Sequence, residues 1–497
     1  MDSVALLESY TNELATAVKT FSNHFRNTKV ASTWLPSTSQ LELPADALIE
    51  VHQARRRILA NLVKVDALIS KPTDFLQRIT GQSQIVACLH WLGTLQVLAC
   101  IPLTGSVPAK DLAELAGVPE SQLLRIIRMT ATSGFLCEPT RDYIAHTPLS
   151  APFVTRPSYL DAALFLEEVQ NPAALHMAAA TQRLGSNGHE TEEMSYNANE
   201  IPYNAAFGTE RSFQTACEDK PKLAKQWAAF LKFAGDGDDE LMEVLTRLDW
   251  NSLGDACVVE MGAKSTGSAM VLADLYPSLH IVVQMTESKT SAHYGAKQPR
   301  PSSSNRTLVS LPLFNSLSFP SNSSSSSNSI EGPFSTEELR TQELLSRITV
   351  QKRQFGDLQL IREAQVYILR LPAPSPSIHS SSLPSLILSE LQAHLPILCS
   401  SPSATLLLTI RVVPEPGSVD PDVEQVARSR DLALLQVAGD RELEMKEVLE
   451  LVEGCRDQRG SLVVVNRLKG RSSGNTVALG VKYQAYGTSV EGISYNA

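Results

Sequence analysis

The order of segments after residue 257 constrains the fold more than any other feature of this chain. "VVEMGAKSTGSAMVLADLYPSLHIVVQM", Val258 to Met285, reads as an apolar strand, a glycine-bearing turn, a helix, a Pro-containing linker and a second apolar strand. The two strands are expected at Val258–Glu260 and Ile281–Gln284. Further strands are expected at Ile348–Arg353, Gln365–Leu369 and Thr405–Val413, with a closing pair near Ser461–Leu468 and Thr476–Tyr483. Strands separated by helical segments imply a mostly parallel, doubly wound sheet.

The first half of the chain has a different rhythm. Its first thirty or so residues look like an amphipathic helix, followed by the linker "STWLPSTSQLELP". A second helical stretch from about Ala45 to Ser70 carries "ARRRILANLVKVDALI", whose Arg55, Arg56 and Arg57 fit a solvated face better than a nuclear-import patch. From Asp74 to about Arg183 the pattern stays helical. "SVPAKDLAELAGVPESQLLRIIRMTATSGFL" gives a short helix, a turn at Ala116-Gly117-Val118 and a second helix opening at Pro119-Glu120-Ser121. The following "CEPTRDYIAHTPLSAPFV" suits a small β-wing, so the unit carries a winged-helix signature. Direct DNA contact through the second helix is the less favoured reading. Its exposed face offers Glu120, Gln122, Arg125 and Arg128, a mixed set and not a basic stripe.

Four units follow from this pass: a helix and linker over 1–44, a helical winged-helix domain of the dimerisation type over 45–190, a connecting helical region over 191–250, and an α/β domain over 251–497. The last is interrupted by a serine-rich tract at 299–333 that cannot bury a core and is expected to be disordered. The face made by Ile85, Leu89, Leu92, Leu95 and Leu98 is expected to join two copies in a homodimer.

At 497 residues the chain exceeds one ordinary core, and 43% hydrophobic with 19% charged residues describes a soluble globular protein. A net charge of -10 argues against broad binding to nucleic acid or to an anionic membrane. The seven cysteines are scattered with no CxxC pair, the pattern of reduced intracellular thiols and not of a zinc site or disulfide framework. The apolar stretch "IVACLHWLGTLQVLACIPL" contains His90 and Gln96 and is better read as a buried helix than as a membrane span.

Taken in order, the winged-helix unit, "RLDWNSLGDACVVEMG", "ADLYPSLHIVVQ", "AQVYILR", "VVPEPG" and "RDLALLQ" resemble the class I O-methyltransferases of plant and fungal secondary metabolism, from about Asp74 to Tyr483. The resemblance implies a dimer-building winged helix, a Rossmann-like domain that binds S-adenosylmethionine, and a histidine that deprotonates the acceptor hydroxyl. The residues depart from it at each chemical requirement. The cofactor's amino-acid end must approach backbone N–H groups in the first turn, which therefore needs glycines. The family's acid–x–G–G–G–x–G is here Glu260-Met261-Gly262-Ala263-Lys264-Ser265-Thr266, with Gly267 one position too late. The ribose needs a carboxylate at the end of the second strand, where Met285 stands. Gln354 and Gln365 occupy two further positions where the family has acids.

The resemblance places the catalytic base four residues beyond Arg370, which is Pro374, a side chain with no proton acceptor. His379 and His394 are the displaced alternatives, both more simply incidental. Glu415 and Asp440 match family acids that orient a base, and with no base they are expected to be structural. No catalytic, cofactor-binding or metal residue is therefore assigned, and no cofactor is expected.

Finer motifs narrow the resemblance. "WLGTLQVLACIPL", "GVPESQLLRIIRMTATSGFL", "HTPLSAPFV" and "NPAALHMAAATQR" are most similar to the methyltransferase-like transcriptional coactivators encoded in aflatoxin-type and related fungal aromatic polyketide clusters. That resemblance implies a nuclear protein that partners the cluster's zinc-cluster activator without reading DNA itself. The acidic run Asp236–Glu240 is either a docking patch for that partner or, more simply, a solvated loop. The alternative function is an active O-methyltransferase acting on a phenolic polyketide.

Overall fold

The computed structural model describes residues 2–27, 43, 48–186, 201–233, 238–263, 265–286, 342–372, 374–376, 378, 380–469 and 476–486. Lys264, His379 and the serine-rich tract 299–333 lie outside them. None of the described helices is long and apolar enough to cross a membrane.

Helix α1 (Ser3–Asn27) packs along α2 (Ile49–Ile69), so the boundary expected at residue 44 falls between two helices that share a surface. Lys64 of α2 ties this pair to the second half of the chain through Asp420, at 2.6 Å. Helix α3 (Pro72–Thr94) opens with Pro72, whose missing N–H is no loss in a first turn, and with Asp74 accepting the Lys71 N–H at 2.9 Å. Two shorter helices follow, α4 (Ala109–Ala116) and α5 (Glu120–Ala131). The turn between them closes on Gly117 at φ 67°, a left-handed position that a side chain would strain. Strands β2 (Leu136–Thr140) and β3 (Tyr143–His146) then form an antiparallel hairpin, with β1 (Val107–Pro108) on the free edge of β3.

This unit closes on its own core of Leu92, Leu98, Leu112, Leu123, Ile127 and Ile144. Three residues of the face expected to join two copies, Leu89, Leu92 and Leu98, belong to this core, while Ile85 is half-buried outside it. Leu92 and Leu98 are buried, Leu89 packs against the same core, and of the five only Leu95 is exposed. Periodicity identified an apolar face, most of which α4 and α5 cover within the chain. Arg128 is also committed: it makes two 2.8 Å bonds to Glu138 and one of 3.1 Å to Asp142. Those bonds hold the Glu138 carboxyl at a pKa of about 2, and they leave the arginine turned to its own hairpin.

Between the halves, Phe165, Tyr203, Phe213, Trp227 and Phe230 pack into an aromatic cluster that includes Val437. It joins α6 (Pro157–Phe165) and α7 (Pro221–Phe233) to the α/β half. Helix α8 (Asp238–Leu245) begins inside the acidic run, so residues 238–240 form a first helical turn and not the expected loop. Residues 236–237 lie outside the described chain.

The large sheet has seven strands in the order β6-β5-β4-β7-β8-β10-β9. Its members are β4 (Cys257–Ala263), β5 (His280–Met285), β6 (Ile348–Lys352), β7 (Val366–Arg370), β8 (Thr405–Arg411), β9 (Gly460–Lys469) and β10 (Thr476–Ala485). The first five run parallel, and β10 is antiparallel to both β8 and β9. The expected strands all appear, within a few residues at their ends. Central strands such as "VYILR" are buried on both faces, which only helix layers on both sides can provide. On one side α8 and α9 (Gly267–Leu275) bury Leu245, Trp250, Ala269 and Leu272. On the other, α10 (Leu383–Ser400) and α12 (Met445–Gly454) bury Leu383, Ile387, Leu391, Val448 and Val452. Helix α11 (Pro421–Ala438) starts at a proline, ends at Gly439 with φ 63°, and carries the contacts to the first half, Asp420 to α2 and Val437 to the aromatic cluster.

Candidate functional site

In a sheet of this winding, ligands sit beyond the carboxyl ends of the parallel strands, where the strand order reverses. Here that place is the end of β4, between β5 and β7. Strand β4 does not stop at Glu260. It continues through a register shift at Gly262, and Ala263 pairs with Met285. Backbone that a cofactor turn would present to a ligand is thus part of the ladder.

Side chains around this end satisfy one another. Glu260 is wholly buried, accepts the Ser268 hydroxyl at 2.6 Å and pairs with Arg370 Nε at 3.1 Å. At the start of α9, Ser265 Oγ accepts the Gly267 N–H at 3.3 Å, and Thr266 lies 4.0 Å from Met270 Sδ. Met285 is half-buried and packs into the core on the α8–α9 side of the sheet. It offers no acceptor for a ribose diol.

The segment after β6 closes over the same strand end. Phe355 reaches Gly262 so closely that a Cβ there would lie 3.0 Å from its ring, and would strike the Arg370 carbonyl outright. The retained glycine is therefore required by the packing of β7 and Phe355. Arg353 forms an ion pair with Glu390 of α10, a carboxylate with no exposed surface, which also accepts the Gly356 N–H at 2.6 Å. Gln284 and Gln359 exchange amide hydrogen bonds of 2.9 and 3.1 Å in the interior. Gln354 is exposed, its N–H donated to Asp357 at 3.2 Å. Gln365 lies at the amino end of β7, away from the turn, where its side-chain oxygen accepts the Cys257 N–H at 2.9 Å.

Of the expected base positions, Pro374 and His394 are described, and neither faces an open site. Pro374 is buried. His394 is on α10, wholly buried, with Nδ1 on the Glu390 carbonyl at 2.8 Å and Nε2 on Met261 Sδ at 2.8 Å. Burial holds its pKa below the ordinary value, so it is a neutral core residue. Glu415 is exposed on a turn, and Asp440 is buried with its carboxylate accepting the Arg441 N–H at 2.8 Å. A cavity of about 460 Å³ at the seam is walled by Phe153, Tyr159, Phe230, Phe233 and Val426, with Arg430 as its charged group. That arginine is already held by Glu442 at 2.8 Å, and the lining contains no histidine or carboxylate to take a proton. No group of His, Cys, Asp and Glu that would ligate a metal occurs among the described residues.

The sequence pattern singled out Glu260, Gly262 and Met285 but missed Arg353, Phe355, Gln359 and Glu390. Opposite charges at positions 353 and 390 leave no periodic signature, and only the fold brings them together. The Gly262 contact carries a direct prediction. Gly262→Ala is expected to cost roughly 2–4 kcal/mol, from a positive φ of 74° plus the overpacking. Urea unfolding monitored by tryptophan fluorescence measures it, and a loss below about 1 kcal/mol would mean that Phe355 does not rest on this glycine.

Comparison with known proteins adds four likenesses. Residues 4–70 match the family model described as the trypacidin cluster transcriptional coactivator N-terminal domain. Over 495 residues the chain is 43% identical to the monodictyphenone cluster transcriptional coactivator of Emericella nidulans, covering 98% of this chain and 99% of that one. The trypacidin cluster transcriptional coactivator of Aspergillus fumigatus is 39% identical, covering 98% of each. Among solved structures, LepI in complex with SAM superposes with a TM-score of 0.56 at 14% identity, over 95% of this chain and all of that one. Identity that low speaks to the fold alone.

Proposed function

Because this chain belongs to the methyltransferase-like transcriptional coactivators of fungal secondary-metabolite gene clusters, we propose that it raises transcription of such a cluster together with the cluster's own activator. The observation that carries the reading is identity to named coactivators along nearly the whole chain, both halves included. The partner we propose is a zinc-cluster protein with a basic DNA-binding end, met in the nucleus. The methyltransferase shell would then serve as a scaffold without methyl transfer. Supporting this, Glu260 is spent on Arg370 and Ser268, Met285 stands at the ribose position, and His394 is sealed in the core. The residues present do not fit S-adenosylmethionine.

Access to promoters through the activator is also favoured by charge. A chain at -10 repels the polyanion that supplies most non-specific DNA affinity, and Arg128 is already paired. Chromatin immunoprecipitation of the tagged protein in cells with and without the activator is the test. Occupancy of cluster promoters is expected only when the activator is present. Undiminished occupancy after its deletion would make the helix–turn–helix a DNA reader in its own right.

A further inference from the structure

Beside the core on the α8–α9 side, the large sheet carries an open trough of about 720 Å³. Its floor is strand: Leu407 of β8, Ala478 and Gly480 of β10, and Val463 of β9. Trp250 and Leu253, from the turn that precedes β4, stand along its wall. Val366 and Thr405 also line it, at the amino ends of β7 and β8. The trough therefore lies at the opposite end of the parallel strands from the turn after β4. Alternation along β10 accounts for the hollow. Val477, Leu479 and Val481 enter the core on the far side of the sheet, and Ala478, Gly480 and Lys482 are left for the trough. The first two carry almost no side chain, so the floor stays low and flat. Lys482 is half-buried there and makes no ion pair among the described residues. Asp249, at the rim, is exposed and its carboxylate accepts the Ser252 N–H at 3.3 Å.

We propose that this trough binds a planar aromatic molecule carrying one acidic group, with its rings on the β8–β10–β9 floor and its anion at the Lys482 ammonium. A concave, mostly apolar lining with a single cation is the usual form of a small-ligand site, and the volume is of the usual size. Charge decides which end of the ligand goes where. A half-buried ammonium is screened less by water and salt than one on an open surface, so an anion seated beside it is held more firmly. Shape decides the rest. A rigid ring system covers a flat floor with little loss of conformational freedom, whereas an acyl chain must be ordered bond by bond.

The proposal goes beyond the coactivator reading and is independent of it, since its readout is ligand binding and not transcription. The probes are anilinonaphthalene sulfonate, a planar anion, and phenylnaphthylamine, the same rings without the charge. Each is titrated into the full chain and followed by its fluorescence. Saturable binding of one sulfonate per chain in the micromolar range is expected. Lys482→Met should weaken the sulfonate roughly tenfold and leave the neutral probe unchanged, because only the sulfonate loses a charged partner. Val463 is half-buried and pairs with Lys482 across the strands, so Val463→Trp should fill the trough and weaken both probes. Both variants should keep the wild-type circular dichroism. No saturable binding by the wild type, or undiminished binding by Val463→Trp, would overturn the site. No loss in Lys482→Met, or equal losses of the two probes, would overturn the role of the ammonium. Decanoate that displaces the sulfonate as well as naphthoate does would overturn the planar ligand class.

Discussion

Titration of the purified chain with S-adenosylmethionine is expected to give no heat of binding into the millimolar range. The cofactor would bring a ribose diol to Met285 and an amino-acid end to a strand end whose polar groups already have partners. Each buried polar group left without a partner costs about 1–3 kcal/mol. Two or three of them move a micromolar ligand by several powers of ten, at 1.4 kcal/mol for each. Met285→Asp alone is expected not to rescue binding, because Phe355 still lies on Gly262 and Ala263 is still paired into the sheet. Micromolar binding by the wild type, accompanied by methyl transfer to a phenolic polyketide, would return the chain to the enzymes.

A comparably large effect is expected on stability. Glu390→Leu leaves Arg353 buried without its carboxylate and removes the acceptor of the Gly356 N–H. Breaking one side of a buried ion pair costs about 3–5 kcal/mol, and Arg353→Met should cost a similar amount from the other side. The double variant Arg353→Met, Glu390→Leu should recover much of that loss, because no unpaired charge then remains. Chemical denaturation of the three variants decides it. Losses that simply add would show that the two side chains do not act as a pair.

The α/β half was legible because its signal is local. Each apolar run of strand length, each helix between runs and each Pro or Gly at a boundary can be recognised within about ten residues, and a parallel sheet with helices on both faces is the arrangement that buries them all. Met285 and Pro374 could be named for a related reason: once the resemblance fixes a position, the side chain that stands there is read directly from the sequence. Gly262 was read as a turn glycine, whereas the structure keeps it within β4, held under Phe355 and the Arg370 carbonyl.

What the chain order could not reveal depends on which surfaces meet. Leu92 and Leu98 are buried beneath α4 and α5, yet Leu59 and Leu62 of α2 stay exposed. Glu260 finds Arg370, and Glu390 finds Arg353, across intervals that carry no repeating pattern. His394 was read as incidental or, less simply, as a displaced base, and only the packing of α10 shows it turned onto Met261. Composition and spacing determine which elements form and which side chain stands at each position of a motif, because those properties reside in single residues and short windows. Whether an apolar face becomes core or contact surface, and whether a charge is free or paired, is decided by tertiary packing, which brings together groups far apart along the chain.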